Sequence, residues 1–183
     1  DGGTKPLSEL FEETYKYIKN INDTLDESII IQLTNSVLTF SDLITNRKTD
    51  YKFDLEKFTN VNGKTGIYIQ YAQVRASKLR ESLNEKKYEL ENLILSEIDK
   101  NLLSKLFMFG YFLEQSYLLN EPHHLANYLY DISNLFNQFY ESEKITEISD
   151  TSHLSSKLFL INLFLNTSHN IMYCLGLKPV EKM

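Results

Sequence analysis

The sequence has little of several residue types that often direct a fold by themselves. It contains no tryptophan, one cysteine (Cys174), three prolines and six glycines in 183 residues. Because a single cysteine cannot form an internal disulfide, we expect Cys174 to be a reduced and buried thiol, as in a cytoplasmic protein. Long tracts of Pro, Gly and Ser are absent and 42% of the residues are hydrophobic, which predicts one folded domain over residues 1–183.

Long apolar runs are also missing. No run reaches the ~18 residues that a helix needs to cross a bilayer, so the sequence predicts no membrane segment. Residues 1–10, DGGTKPLSEL, lack a basic start followed by an apolar core, so they do not resemble a signal peptide. We expect residues 1–6 to be an extended lead-in, and a start at Asp1 indicates a fragment of a longer protein.

Motifs for self-contained catalysis are missing too. There is no Gly-rich phosphate loop. The histidines lack the spacing of a metal site, and one cysteine cannot complete a thiolate set. Asp150, Ser152 and His153 superficially suggest a hydrolase, but Asp and Ser at the start of a helix are typical of caps. The sequence therefore predicts no catalytic residues and no metal ligands.

Positive charge is scarce over the whole chain. Nineteen Lys and Arg residues face 25 Asp and Glu residues, a net charge of −6. This balance excludes the broad basic surface of an unselective nucleic-acid binder. An acidic domain can still bind RNA where basic groups are concentrated locally and bases are held by stacking. Arg75, Lys78 and Arg80 form one such concentration, whereas we interpret Lys86 and Lys87 as a solvated face.

What the sequence does contain is helical periodicity. Apolar residues recur at steps of three and four, which predicts an all-α bundle of about six to seven helices and no convincing strand. The predicted helical segments are 7–18, 30–44, 54–58, 65–83, 102–119, 122–139 and 154–175. Asn84 is expected to end the fourth segment. Residues 85–101 are expected to be less regular, with five side chains toward the core: Tyr88, Leu90, Leu93, Ile94 and Ile98. We further expect Gly110 to permit close helix packing, and residues 177–183 to form a tail.

The stretch 65–80, TGIYIQYAQVRASKLR, has an unusual helix face. Tyr68, Tyr71 and Arg75 share this face with two apolar residues, and Gln70 is close by. Rings for stacking, one fixed charge and an amide able to read a base edge are what unstacked RNA requires. On spacing alone, the alternative is a core helix whose Tyr hydroxyls and Arg side chain are paired internally.

Four stretches share a pattern with one known family. Residues Gly66 to Arg75 contain a G-x-Y-x-Q-Y-A-x-x-R signature. Residues 121–140 are similar to the segment E-P-H…Y-L-Y…F-x-x-F-Y, and residues 175–183, LGLKPVEKM, are similar to the ending L-G-x-x-x-P-E-x-M. Residues 42–55 complete the set. Taken in their order along the chain, the four stretches resemble the C-terminal, DALR-type anticodon-binding domain of the class I arginyl-tRNA synthetases.

This resemblance implies an anticodon-binding helical bundle without a catalytic centre. The residues that it nominates for tRNA binding are Tyr68, Gln70, Tyr71, Arg75, Asn137, Tyr140 and Met183. It leaves open whether Arg75 holds a phosphate or locks helices together. The family's H-I-G-H and K-M-S-K signatures, which belong to its ATP site, do not appear in this sequence. The resemblance therefore implies no cofactor in this chain, and it implies that ATP and Mg are used by a catalytic domain upstream. The implied partners are an arginine-accepting tRNA and that catalytic domain, in a monomeric, cytoplasmic enzyme that ligates arginine to tRNA.

Some choices in the sequence depart from the family pattern. Ala76-Ser77-Lys78 and Lys157 replace more usual residues, which leaves the contacts of the outer helix faces open. The alternatives are the same module on a cysteinyl- or methionyl-tRNA synthetase, and a helical scaffold that binds partner proteins through apolar faces. The scaffold would bury the tyrosines and expose a hydrophobic patch instead.

Overall fold

The chain folds into a bundle of α-helices. The computed structural model describes residues 5–83 and 93–183. Within these residues there are eight α-helices, a 3-10 turn at Ile145–Glu147 and no strand. The helices are α1 (Leu7–Ile21), α2 (Glu27–Leu43), α3 (Leu55–Phe58), α4 (Gly66–Ser82), α5 (Glu97–Leu106), α6 (Phe109–Leu119), α7 (His123–Ser142) and α8 (Thr151–Cys174). The predicted all-α fold class is confirmed.

Most helix ends follow the local signals in the sequence. The hydroxyl of Thr65 caps α4 by accepting a hydrogen bond of 3.1 Å from the backbone N–H of Tyr68. Asp54 caps α3 in the same way through the N–H of Lys57. After α8, Gly176 adopts a φ of +71°, which is favourable for glycine, and ends the helix as predicted.

The prediction of one helix over 102–119 was wrong. The structure has two helices there, α5 and α6, separated by a turn at Phe107 and Met108. Helix α5 begins earlier than predicted because Ser96 and Asp99 form a capping box, each side chain bonding to the other residue's N–H. The turn itself contains no Pro or Gly, and the apolar pattern runs across it, so periodicity alone could not locate the break.

Helix α6 carries apolar side chains that the bundle leaves exposed. None of its residues is buried, and Tyr117 and Leu118 are among the most exposed large hydrophobic residues in the described part of the chain. Among the described residues no helix is both long and apolar enough to cross a membrane.

Helix α4 is at the centre of the bundle and packs against α2, α7 and α8. At Gly66 the backbone of α4 closely approaches the backbone of α2. A Cβ atom on Gly66 would lie 2.9 Å from the backbone nitrogen of Val37 and closer still to the carbonyl of Ser36. At Gly110, where close packing was predicted, a Cβ atom would meet nothing within 4 Å. The prediction for Gly110 was therefore wrong, and Gly66 has that role.

The C-terminal residues are packed rather than a free tail. Leu177 joins the main core, which is formed largely by α4, α5, α7 and α8. Val180 joins a second cluster, formed mainly by α1, α2 and α4. The expectation for Cys174 also needs correction, because its thiol is exposed at the end of α8.

A buried lysine joins three parts of the bundle. The side chains of Lys157 and Asp99 are fully buried, and Nζ of Lys157 lies 2.7 Å from both carboxylate oxygens. The same Nζ lies 2.6 Å from Oε1 of Glu143, just after α7. Lys157 is therefore an interior residue that ties α8 to α5 and to the end of α7, and it is not on an outer face.

Several sequence predictions lie outside the described residues. These are the helix end at Asn84, the solvated face at Lys86 and Lys87, and the inward positions of Tyr88 and Leu90. Residues 1–4 of the expected lead-in are outside as well. Within the described residues, the inward positions predicted for Leu93 and Ile94 were wrong, because both side chains are exposed, whereas Ile98 packs against the main core.

Two glycine substitutions should have opposite effects on stability. Gly66→Ala should lower the free energy of unfolding by about 3 kcal/mol, because the methyl group meets the α2 backbone, which cannot rotate away. Gly110→Ala should raise it by roughly 0.5–1 kcal/mol, since the site is open and alanine favours the helix. Urea denaturation measures both values, and a similar effect from the two substitutions would contradict the packing of α4 on α2.

The buried ion pair also makes a stability prediction. Asp99→Asn should lower the free energy of unfolding by about 3 kcal/mol, because it removes one of the two charges that compensate a buried ammonium. Glu97→Gln is the matched control, since Glu97 pairs with Lys100 at the surface and its loss should cost less than about 1 kcal/mol. Equal losses would show that Lys157 does not need Asp99.

Candidate nucleic-acid interface

A groove runs between α4 and α7, beside the loop that precedes α4. Its volume is about 450 Å³. Aromatic, amide and charged side chains line it: Val61, Asn62, Tyr68, Tyr71, Arg75, Asn134, Asn137, Gln138 and Glu141. Four of the seven residues nominated from the sequence line this groove: Tyr68, Tyr71, Arg75 and Asn137.

Arg75 is held between two aromatic rings. Its guanidinium carbon lies 4.4 Å from the centre of the Tyr71 ring and 4.6 Å from the centre of the Tyr140 ring. Both distances are within the range of a cation–π contact. Because Tyr71 is on α4 and Tyr140 is on α7, the guanidinium joins the two helices that form the groove.

The edge of the same guanidinium faces two acceptors on α7. Its Nη1 donates to Oδ1 of Asn137 at 3.2 Å and to Oε1 of Glu141 at 3.0 Å. Burial opposes the charge, but the hydrogen bond to Glu141 and the nearby oxygens of Tyr71, Glu141 and Tyr140 outweigh it, so the pKa of Arg75 is raised. Arg75 therefore remains a fixed positive charge at the wall of the groove.

The other end of the groove has a second aromatic pair. The hydroxyl of Tyr68 donates to Oδ1 of Asn134 at 3.2 Å, and its ring centre lies 5.5 Å from that of Tyr130. The ammonium of Lys64 lies 5.3 Å from the centre of the Tyr130 ring and donates to Asn127. A second cation therefore accompanies a second set of rings.

The side chains of the stripe differ in how far they are exposed. Ala72 and Leu79 are buried as in an ordinary core helix. Tyr71 is 37% exposed, and Tyr68 and Arg75 are half-buried. The stripe therefore lies at the boundary of the core, with its apolar members inside and its ring and charge at the surface.

Comparison with known proteins identifies the family. The family model described as "DALR anticodon binding domain" matches residues 69–183. The chain belongs to the DALR anticodon-binding domain family. The match begins within α4 and includes Tyr71, Arg75, Asn137 and Tyr140.

The relatives that this DALR domain matches are much longer proteins. The "Arginine--tRNA ligase" of Francisella tularensis subsp. novicida is 34% identical over 87% of this chain, which covers 29% of that protein. The protein of the same name from Alkaliphilus oremlandii is 29% identical over the whole chain, which covers 33% of it. The chain therefore spans about a third of the length of these relatives.

Solved structures agree on the fold of the DALR domain. The arginyl-tRNA synthetase of Plasmodium falciparum matches with a TM-score of 0.81 and 26% identity, over 97% of this chain and 33% of that one. The arginyl-tRNA synthetase of Thermus thermophilus matches with a TM-score of 0.87 over the whole chain and 33% of that one. At 22% identity, the latter match shows the fold alone.

Gln70 does not belong to the groove. It is fully buried, and its Nε2 donates to the hydroxyl of Ser36 and to the carbonyl of Lys178, each at 2.7 Å. Its Oε1 accepts a hydrogen bond of 3.0 Å from the backbone N–H of Val180. The predicted role of Gln70 in reading a base edge was therefore wrong, because its amide is used to attach the C-terminal residues to α4 and α2.

Met183 is also placed apart from the groove. Its side chain is half-buried and packs against the cluster that α1, α2 and α4 share. It does not line the groove, and its contact with tRNA stays a prediction.

The basic residues predicted to act together are separated. Arg75 faces α7, whereas Nε of Arg80 donates to Oδ1 of Asn162 on α8 at 2.8 Å. Lys78 is exposed. Among the described residues that line the groove, Arg75 is the one with a positive charge. Lys64, which was not nominated from the sequence, lies beside the groove, over the ring of Tyr130.

Three residues of α7 that line the groove were not predicted from the sequence. Asn134, Gln138 and Glu141 line the groove beside the nominated Asn137. Their spacing of three and four residues places them on one helix face, so this face was detectable once Asn137 and Tyr140 had been nominated. What the spacing could not reveal is that this face lies opposite Tyr71 and Arg75.

The histidine and hydrolase-like residues have local structural roles. The carboxylate of Asp150 caps α8 by accepting from the N–H of His153 at 2.7 Å, so the capping interpretation is confirmed. Glu121, His123 and His124 bring possible ligand atoms within 4.8 Å of one another, which their sequence spacing did not suggest. The carboxylate of Glu121 is paired with the ammonium of Lys48 at 2.9 Å.

The placement of Gln70 leads to a prediction about the C-terminus. Gln70→Ala should destabilise the domain by about 1–3 kcal/mol, because it leaves a buried N–H and carbonyl without partners. Hydrogen exchange at the Val180 amide should become much faster. Gln138→Ala, at an exposed site on α7, should leave that exchange rate unchanged, and continued protection of Val180 in Gln70→Ala would contradict the assigned contact.

Proposed function

We propose that this domain recognises the anticodon of an arginine-accepting tRNA and is part of an arginine–tRNA ligase. The observation that carries the proposal is the exposed ring of Tyr71 beside a fixed guanidinium, within the part of the chain that the anticodon-binding family model matches. The names of the relatives support arginine as the amino acid.

The groove offers the three contacts that an unstacked RNA loop needs. The Tyr71 ring presents a partly open face on which a base can stack. Amides of Asn62, Asn134 and Gln138 provide donors and acceptors for base edges. Arg75 in the groove, with Lys64 beside it, supplies positive charge for the RNA backbone, which a domain with a net charge of −6 must concentrate locally.

The reaction belongs to the rest of the proposed enzyme. A catalytic domain in the same chain would attach arginine to the tRNA through an arginyl-adenylate, using ATP and Mg. The domain described here would orient the tRNA so that its acceptor end reaches that site. We further propose that the enzyme is a cytoplasmic monomer.

Two other functions compete with this one. A cysteinyl- or methionyl-tRNA synthetase would use a related module, and a titration with purified tRNA species distinguishes them, because only arginine acceptors should bind preferentially. A protein-binding scaffold is favoured by one observation, the exposed apolar side chains of α6. That surface contributes no residue to the groove, so it does not compete with RNA for the same site.

Replacement of Tyr71 tests the proposal directly. Tyr71→Ala should weaken binding of the tRNA by about 1–3 kcal/mol, the contribution of one stacked base. The free energy of unfolding should change less, because the ring is already partly exposed. Titration at fixed salt measures the first quantity and urea denaturation the second.

Tyr117→Ala is the matched control for this experiment. Tyr117 is 78% exposed on α6 and lies outside the groove. Its removal should leave tRNA binding unchanged. If Tyr71→Ala and wild type bind the tRNA equally well, the ring does not stack on RNA and the proposed interface is wrong.

A further inference from the structure

The mouth of the groove holds an acidic side chain where a nucleic-acid ligand would bring more negative charge. Glu141 lines the groove, and its side chain is 65% exposed. Its Oε1 accepts a hydrogen bond of 3.0 Å from Nη1 of Arg75. A carboxylate at this place repels phosphates unless it moves away from the guanidinium when RNA binds.

The two partners of this ion pair are held very differently. The guanidinium carbon of Arg75 lies within 4.6 Å of the centres of the Tyr71 and Tyr140 rings, and Asn137 accepts from the same nitrogen that Glu141 does, at 3.2 Å. Only 22% of the Arg75 side chain is exposed. Glu141 is in the last turn of α7, and Arg75 is the one partner that the structure records for its carboxylate within the described residues. The cation is therefore fixed, and the anion can leave.

A phosphate can take the place of the carboxylate with little reorganisation. Both are oxygen anions that accept from the edge of a guanidinium, and arginine binds phosphate in the same planar geometry as carboxylate. The rings of Tyr71 and Tyr140 keep the guanidinium edge turned toward α7 and the groove whichever anion is present. An exposed carboxylate–guanidinium pair contributes little stability, so its loss opposes binding only weakly.

We propose that Glu141 occupies the position of an RNA phosphate on Arg75 in the free domain, and that a backbone phosphate of the bound loop replaces it. This inference rests on the proposed function, since it names the group of the tRNA that Arg75 binds. Arg75 is then both the link between α4 and α7 and the phosphate contact, and Glu141 sets the affinity of that contact.

Glu141→Gln tests the exchange. We expect it to tighten binding of an anticodon stem-loop RNA from an arginine-accepting tRNA by roughly two- to fivefold, the equivalent of one surface ion pair that no longer has to be broken. The salt dependence should also steepen. The slope of the logarithm of the binding constant against the logarithm of the salt concentration should increase in magnitude by about 0.7. In the wild type the phosphate displaces Glu141 from Arg75, whereas in the variant it displaces a salt anion, which is released into solution.

Two further variants separate this mechanism from a simple change in net charge. Glu147→Gln removes one negative charge from an exposed residue that pairs with Lys144, outside the groove. It should leave the affinity within about 1.5-fold of wild type if screening by salt limits distant charges. In an Arg75→Lys background, the gain from Glu141→Gln should disappear, since lysine cannot remain stacked between the two rings with the same fork of donors.

The outcomes distinguish the exchange from the proposed function. If the wild-type domain does not bind the stem-loop RNA, the proposed function fails. If the wild type binds and Glu141→Gln binds equally or more weakly with an unchanged salt slope, the exchange is wrong and the proposed function stands. An equal gain from Glu147→Gln also overturns the exchange, and thermal denaturation of each variant confirms that the compared proteins are folded.

Discussion

The enclosure of α4 on three sides constrains the rest of the structure. Helices α2, α7 and α8 all pack against α4, so most of its surface must be small or apolar. Gly66 meets the α2 backbone, and Ala72 and Ala76 are fully buried. A narrow strip remains at the surface, and it contains Tyr71 with Tyr68 and Arg75 at its edge. The position of the candidate interface therefore follows from how the core is closed, since the other exposed residues of α4, such as Lys78 and Glu81, lie toward the C-terminal end of the helix.

Within that strip, one guanidinium serves both the fold and the surface charge. Arg75 joins α4 to α7 through the Tyr71 and Tyr140 rings and through Asn137. The sequence left open whether this arginine locks helices or binds phosphate, and the geometry shows that the first role does not exclude the second. The contacts that immobilise its faces leave its edge directed at Glu141 and the groove. An acidic domain can in this way present a cation at low entropic cost.

Local sequence signals were sufficient for most of the secondary structure. Thr65 and Asp54 cap their helices and Gly176 ends α8, because each of these signals acts within a single turn of the chain. The break between α5 and α6 was missed, since Phe107 and Met108 carry no local stop signal. Lys157 was missed for a different reason. A lysine looks like a surface residue in sequence, and only the approach of Asp99 and Glu143 makes its burial possible.

The sequence by itself determined the helical class, most helix limits and the family signature that pointed to Tyr68, Tyr71, Arg75, Asn137 and Tyr140. Helical periodicity determines which residues share a face, and it says nothing about which neighbour covers that face. Only the tertiary structure decided that Gln70, one residue before Tyr71, points inward to bind residues 108 and 110 positions further along the chain. It also decided that Glu141 meets Arg75 across 66 residues. Contacts between such distant residues depend on how whole helices pack, which no local pattern encodes.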